Sequence, residues 1–190
     1  MPQTTLFDES NESEELDQIS EEISRCTRCP LHESRTNTVP GEGDNDADIM
    51  LIGEGPGKNE DEQGRPFVGR AGDLLTELLK SAGLSRSEVF ITNVVKCRPP
   101  ENRDPRKSEI KTCNPYLKRQ IKAIDPKVIG TLGNHATETL VGEKGISNIH
   151  GQEFEYEGKI LIPLYHPAAG LYNPNLVSEM KKDIKKLTEY

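Results

Sequence analysis

Short apolar, β-branched runs alternate along this chain with segments that repeat apolar residues at helical spacing. The strand-like runs cover 48–53, 89–95, 127–132 and 159–164. Helical spacing links Val68 to Ala82 and Ile110 to Ile124, and a last helix is predicted to turn Val177, Met180, Ile184 and Leu187 inward. Alternating β and α units predict a parallel sheet with helices on both faces, and ligands in such sheets bind at the carboxyl ends of the strands.

Charge is distributed unevenly along the chain. Residues 1–24 hold eight acidic side chains and no Lys or Arg, which accounts for the whole net charge of -8 and leaves a neutral body. With 190 residues and 33% hydrophobic content, one core is expected. We therefore predict an acidic, mobile or partly helical leader over 1–24 and a single domain over 25–190. The start of the chain has neither a basic segment nor an apolar run, so a cytoplasmic, thiol-reducing location is expected.

The window 94–122 carries nine basic residues against three acidic ones. A local basic face of this kind is what binding to a polyanion requires, whatever the charge of the whole chain. A solvated helix face would give the same pattern. Helix 110–124 is predicted to begin at Asp104 and Pro105 as N-cap and first residue, and to stop at Asp125.

The four cysteines are Cys26, Cys29, Cys97 and Cys113. In a reducing compartment such a set is expected to bind metal more often than to form disulfides, and the tight spacing of the first pair lets two thiolates share one centre. Unpaired core cysteines are the alternative. Spacing does not separate zinc from an iron–sulfur cluster, although nearby basic side chains would suit an anionic cluster.

Several polar residues follow the predicted strands. The glycine-rich segment Gly53-Glu-Gly-Pro-Gly57 comes directly after the first strand. It lacks the Gly-Lys-Ser/Thr ending of a P-loop, and no helix is predicted to start after it. A nucleotide triphosphatase is therefore disfavoured. The carboxylates of Glu54, Glu60 and Asp61 then cluster near Phe67. Asn93 interrupts the second predicted strand and His166 follows the last one, and each is either a core side chain or a group that recognises a ligand.

Taken together, these motifs resemble the family 4 uracil-DNA glycosylases. The resemblance covers Cys26 to Leu187 and includes Gly-Arg-Pro-Phe-Val-Gly, Thr92-Asn-Val-Val-Lys-Cys-Arg-Pro-Pro100 and His166-Pro-Ala-Ala. It implies a three-layer α/β/α sandwich with a central four-stranded parallel sheet. It also implies a structural [4Fe-4S] cluster on Cys26, Cys29, Cys97 and Cys113, and a monomer that acts on uracil in single- or double-stranded DNA.

The resemblance assigns roles to individual residues. Phe67 stacks on the extruded uracil, Asn93 pairs with its polar edge, and His166 donates a hydrogen bond to uracil O2 as the base leaves. Glu60 and its loop exclude thymine. Relatives of the first family have Asp where this chain has Gly55, so Glu54 and Glu60 are the candidates for orienting water, with a contribution expected from the substrate-binding backbone around Gly55. Leu171 is the predicted wedge that fills the vacated base stack.

Three other hypotheses arise from the sequence. A related subgroup traps DNA covalently through a His in a basic loop, but residues 99–106 contain no His, so trapping is disfavoured. A non-catalytic iron–sulfur module for nucleic-acid binding or redox sensing would explain the cysteines but not Phe67, Asn93 and His166. The segment Gln3–Phe7 partly resembles a peptide that binds a sliding clamp, with a solubilising tail as the alternative.

Overall fold

The computed structural model describes the backbone of residues 9–190 and the side chains of residues 14–190. The strands are β1 (Glu42–Gly43), β2 (Ile49–Gly53), β3 (Phe90–Asn93), β4 (Val128–Leu132), β5 (Phe154–Tyr156) and β6 (Lys159–Leu164). The α-helices are α1 (Glu9–Ser24), α2 (Leu31–Ser34), α3 (Lys58–Gln63), α4 (Arg70–Ser81), α5 (Lys107–Ile124), α6 (Asn134–Val141), α7 (Ile146–Ile149), α8 (Pro167–Tyr172) and α9 (Val177–Lys186).

All strands lie in one sheet, in the order β1, β3, β2, β4, β6, β5. The four inner strands run parallel and are the four that the apolar runs predict. The expected count of four was too low, because β1 and β5 extend the sheet as antiparallel edges. These edge strands have only two and three residues, too few to show any hydrophobic pattern.

Alternate residues of the inner strands enter two separate cores, one on each face of the sheet. Met50 and Ile52 of β2 pack into the core that α1 and α5 cover. Leu51 packs on the opposite face, into the core that α4 and α9 cover. The arrangement is the predicted three-layer α/β/α sandwich.

The acidic leader contributes to the fold from residue 9 onward. Helix α1 packs against α5, and its Leu16, Ile19 and Ile23 are buried in the first core. Glu22 also pairs with Arg119 of α5, with 2.5 Å between carboxylate and guanidinium. From residue 9 the leader is thus helical, which is one of the two forms predicted for it, because three apolar residues at helical spacing are enough to anchor an otherwise acidic helix. Segment Gln3–Phe7 lies outside the described residues.

Two helix boundaries also differ from the sequence predictions. Helix α3 begins immediately after Gly57, where no helix was expected. Helix α5 begins at Lys107, with Arg106 as its N-cap, rather than at Asp104 and Pro105. Its end is as predicted, since Asp125 adopts a left-handed conformation with φ of 46° and closes the last turn. Within residues 9–190, no helix combines the length and apolar character needed to cross a membrane.

Candidate active site

A pocket of about 450 Å³ lies at the carboxyl ends of the parallel strands, where the alternating pattern predicts a ligand site. Its walls come from the loop after β2, the end of β3, the loop before α5 and the start of α8. The lining residues are Glu54, Gly55, Pro56, Gly57, Glu60, Phe67, Ala71, Asn93, Pro99, Asn102, Arg103, His166, Ala168 and Tyr172. Glu54, Gly55, Glu60, Phe67, Asn93 and His166, all singled out from the sequence, thus share one cavity.

Asn93 is the last residue of β3, and its side chain faces this pocket. The residue is 1% exposed, and its Oδ1 has no hydrogen-bond partner within the described part of the chain. The backbone of Asn93 is held in place because buried Lys96 donates from Nζ to its carbonyl at 2.6 Å. Gly53 on the neighbouring strand leaves room for the amide, since a Cβ there would lie 2.5 Å from Oδ1. A buried acceptor without a donor is costly, so Asn93 is arranged to receive one from a ligand.

Phe67 forms an apolar wall of the pocket. It is 7% exposed and has a φ of 50°, which is rare for a residue with a bulky side chain. Its ring lies 5.7 Å from the imidazole of His166, centroid to centroid, with the planes inclined by 35°. The two rings therefore leave an aromatic surface beside the Asn93 amide, suited to a flat heterocycle.

His166 follows β6 and caps the first turn of α8. Its Nδ1 accepts a hydrogen bond from the backbone N–H of Ala168 at 3.1 Å. Burial lowers the pKa of His166 to about 4, against a smaller opposing effect of the Glu60 carboxylate. The ring is therefore neutral at pH 7, and because Nδ1 is an acceptor, the proton sits on Nε2. His166 is a neutral hydrogen-bond donor at the pocket.

The two carboxylates that line the pocket have different partners. Glu60 Oε1 accepts from the backbone N–H groups of Val68 and Gly69, at 3.1 and 3.3 Å. Glu54 makes no such backbone contact among the hydrogen bonds of the described residues, and burial raises its pKa, with nearby His135 lowering it and Asp104 raising it. Glu60 is thus fixed as part of the wall, whereas Glu54 is the better placed of the two to bind water.

Asp61, which the sequence groups with these carboxylates, lies elsewhere. Its side chain is buried, and Oδ1 and Oδ2 accept from the backbone N–H of Thr36 at 2.9 and 3.0 Å. A third contact comes from the N–H of Asn37. Asp61 therefore holds the segment before β1 against α3 and takes no part in the pocket.

His135 is a member of this region that sequence reasoning left unassigned. Its Nε2 lies 3.3 Å from Asp104 Oδ2 and 3.7 Å from Glu54 Oε2. One ligand atom from each of the three residues lies within 4.8 Å of the others, so the group has the composition of a divalent-cation site. The three residues lie far apart in the sequence and meet only in the folded protein, so no motif in the sequence indicates the group.

The predicted wedge, Leu171, sits in α8 beside a more exposed aromatic residue. Leu171 is half-buried and does not line the pocket. Its neighbour Tyr172 does line the pocket and is 91% exposed. Its ring is therefore available to contact a molecule that binds at the pocket mouth. Sequence reasoning missed Tyr172, since its exposure depends on where α8 ends.

The four cysteines converge beside the first core, although they come from three separate segments. Cys97 is buried, Cys26, Cys29 and Cys113 are half-buried, and none of the four forms a disulfide. Burial raises the pKa of Cys97 to about 11, an effect opposed by Arg35, which donates from Nη1 to the Cys97 Sγ at 3.3 Å. Cys97 belongs to the first core, and Cys26, Cys29 and Cys113 pack against that same core. Four free, soft thiols with a guanidinium at their edge fit a metal centre with thiolate ligands.

The basic window 94–122 does not form one uniform face. Lys96 is buried, Arg103 pairs with Glu109 at 2.7 Å, and Arg119 pairs with Glu22. Arg106 and Lys107 remain exposed at the start of α5, and Arg103 also lines the pocket. Arg103 thus lines the pocket with its charge already paired, whereas the unpaired positive charge at the start of α5 lies outside the pocket lining.

Comparison with known proteins agrees with this geometry. Residues 40–189 match the model of the uracil DNA glycosylase superfamily. Over 184 residues the chain is 52% identical to a type-4 uracil-DNA glycosylase of Sulfurisphaera tokodaii, covering 92% of this chain and 84% of the relative. It is 49% identical over 185 residues to one of Archaeoglobus fulgidus, covering 93% of each.

A more distant relative is the type-5 uracil-DNA glycosylase of Pyrobaculum aerophilum. It is 27% identical over 186 residues, which cover 80% of this chain and 82% of that protein. The higher identity and coverage of the type-4 proteins decide between the two groups. The chain belongs to the uracil-DNA glycosylase superfamily and, within it, to the type-4 uracil-DNA glycosylases.

Proposed function

We propose that the protein extrudes uracil from DNA and hydrolyses its N-glycosidic bond, leaving an abasic site for base excision repair of deaminated cytosine. The observation that carries this proposal is the buried, unpaired Oδ1 of Asn93. Uracil offers an N–H at N3 to such an acceptor, and its O4 accepts from the amide NH₂. Cytosine has an acceptor at N3 and would leave Oδ1 unpaired, so the same amide discriminates against it.

The other pocket walls supply binding and catalysis. Phe67 gives a stacking surface that holds any flat base, so selectivity rests on Asn93. Glu60, fixed by its two backbone contacts, is the wall that we assign to exclusion of the thymine methyl group. Its rigidity matters because a mobile wall would let the larger base enter.

Cleavage places negative charge on the departing uracil and positive charge on the sugar. His166 stabilises the negative charge on the uracil, because its neutral Nε2–H donates a hydrogen bond to uracil O2 without transferring a proton. Glu54 acts at the positively charged sugar, because its carboxylate lies in the pocket and can orient a water toward the sugar carbon. Burial raises the pKa of Glu54, which brings it closer to that of a base working near neutral pH.

A duplex that loses one base from its stack needs a side chain in the gap. The sequence predicts Leu171 for this role, but Leu171 is half-buried whereas Tyr172 is 91% exposed at the pocket mouth. We assign the gap to Tyr172 in preference to Leu171, because only a side chain that projects from the surface can enter a base stack.

We further propose that Cys26, Cys29, Cys97 and Cys113 hold a [4Fe-4S] cluster. Its contribution when bound is structural, since it joins the segment after α1 to the loop after β3 and to α5. Arg35 makes two hydrogen bonds at this site: it donates to Cys97 Sγ at 3.3 Å and to the Cys26 carbonyl at 2.7 Å. The contact with Sγ stabilises negative charge on sulfur, and the contact with the carbonyl holds the guanidinium in place.

The amide of Asn93 provides the test of the proposed function. The Asn93→Ala variant should lose about 100-fold or more in kcat/KM for uracil excision, because both polar contacts to the base disappear. Gln120→Ala is the matched control, since among the described side chains Gln120 is the other buried amide with an unpaired oxygen, and it lies outside the pocket. Equal excision by the two variants would overturn the role assigned to Asn93. Wild-type protein that shows visible absorption but excises no uracil would favour a non-catalytic iron–sulfur module.

A further inference from the structure

Arg86 joins the backbone of Phe67 to an acidic side chain behind the pocket. One guanidinium nitrogen, Nη1, donates to the Phe67 carbonyl at 2.9 Å. The other, Nη2, donates to the Pro66 carbonyl at 2.8 Å and to Glu42 Oε1 at 2.7 Å. Arg86 is absent from the pocket lining, so it cannot touch a bound base itself.

Phe67 needs such support because its backbone is in the left-handed region, with φ of 50°. A bulky residue stays in that region only where its surroundings fix it. The turn is also closely packed: a Cβ at Gly72 would lie 1.9 Å from the Phe67 carbonyl oxygen. The carbonyls of Pro66 and Phe67 thus set the direction in which the Phe67 ring faces the pocket.

Glu42 fixes the guanidinium in turn. Burial raises the pKa of Glu42, but hydrogen bonds from Arg65 and Arg86 outweigh it and hold the pKa below its ordinary value. The carboxylate is therefore ionised at neutral pH. Arg65 donates from Nε to Oε2 at 2.8 Å, the oxygen that Arg86 does not use. Arg65 shares Glu42 with Arg86 yet donates to no loop carbonyl among the described hydrogen bonds.

We infer that Arg86, oriented by Glu42, is a positioning residue for uracil recognition: it holds Phe67 in the conformation in which its ring stacks on the extruded base. This inference rests on the proposed function. A lysine cannot replace Arg86, because the planar fork reaches two carbonyls and a carboxylate at once and a single ammonium group does not match that geometry.

The test compares Arg86→Gln and Arg86→Lys with Arg65→Gln as the matched control. For each variant, kcat and KM on uracil-containing DNA and the inhibition constant of free uracil are measured, together with the thermal midpoint. We expect both Arg86 variants to lose about 10- to 100-fold in kcat/KM, because the stacking ring is misplaced. Inhibition by free uracil should weaken in the same variants, and Arg65→Gln should stay within about twofold of the wild type.

A double variant separates positioning from general destabilisation. If Arg86 acts through Phe67, then Arg86→Gln added to Phe67→Ala should change kcat/KM by less than about twofold, since the two residues form one unit. A full further loss in that background, or unchanged uracil inhibition in the single variants, would overturn the inference. A wild-type protein without uracil excision would instead overturn the proposed function, on which the inference depends.

Discussion

The backbone N–H of Ala168 donates to Nδ1 of His166 at 3.1 Å, and this single contact decides what the imidazole can do. With Nδ1 occupied as an acceptor, the neutral ring carries its proton on Nε2 and presents a donor to the pocket. Protonation would put a second N–H against that of Ala168. Burial keeps the ring neutral, and the first turn of α8 selects its tautomer.

Stability should depend on pH through His166. Its pKa is lowered from 6.5 to about 4 in the folded protein, so the unfolded chain binds a proton in this window and the folded protein does not. The free energy of unfolding should fall by about 3 kcal/mol as pH falls from the upper to the lower value. Denaturant unfolding of the wild type and His166→Gln across this range measures it. Identical pH slopes for the two proteins would contradict the assigned neutral imidazole.

The choice between Tyr172 and Leu171 as the residue that fills the base stack can be tested on duplex DNA. We expect Tyr172→Ala to lower kcat/KM on a duplex by about 5- to 100-fold, because a stacked ring in the gap is lost. The loss should be smaller on single-stranded DNA, where no stack has to be refilled. Leu171→Ala serves as the comparison on the same two substrates. A larger duplex-specific loss in Leu171→Ala would return the wedge to the residue that the sequence predicts.

Arg35 should control how firmly the thiols hold a cluster. The Arg35→Ala variant removes the donor to Cys97 Sγ, so visible absorption should bleach about 10-fold faster under an iron chelator. Arg25→Ala is the matched control, because Arg25 precedes Cys26 but pairs with Glu21. Equal bleaching rates in the two variants would show that Arg35 has no part in holding the metal centre.

Helix α1 should contribute measurably to stability. Ile19 of α1 is fully buried in the first core. The Ile19→Ala variant should therefore lower the free energy of unfolding by about 2–4 kcal/mol. Asp17→Ala changes an exposed position of the same helix and should have little effect. Urea denaturation measures both. A negligible loss in Ile19→Ala would mean that α1 packs only weakly on the domain in solution.

The sequence predicts the interior of the fold better than its edges. The four inner strands and helices α4, α5 and α9 repeat apolar residues often enough for their periods to be read. Strand β1, with two residues, carries no period, and helix α3 is made of polar residues that show no apolar face. For helix α1 the sequence leaves a mobile and a partly helical leader open, because only Leu16, Ile19 and Ile23 interrupt its acidic composition.

The residues of the site also fall into those that the sequence indicates and those that only tertiary packing brings together. Glu54, Asn93 and His166 could be found because they lie in or directly after predicted strands, and Phe67 because it belongs to the motif Gly-Arg-Pro-Phe-Val-Gly. The contacts that orient them come from distant segments, as Arg86 does for Phe67, so no spacing reveals them. The exposure of Tyr172 and the approach of His135 to Glu54 likewise depend on tertiary packing.

The central claim is that the pocket recognises uracil and removes it from DNA. The most direct measurement uses anaerobically purified protein and labelled oligonucleotides that differ only in one base: uracil, cytosine or thymine. We predict alkali-sensitive strand breaks at uracil alone, from protein that shows broad visible absorption. Intact uracil-containing DNA in the presence of that absorption would contradict the claim and leave the chain as a binding module.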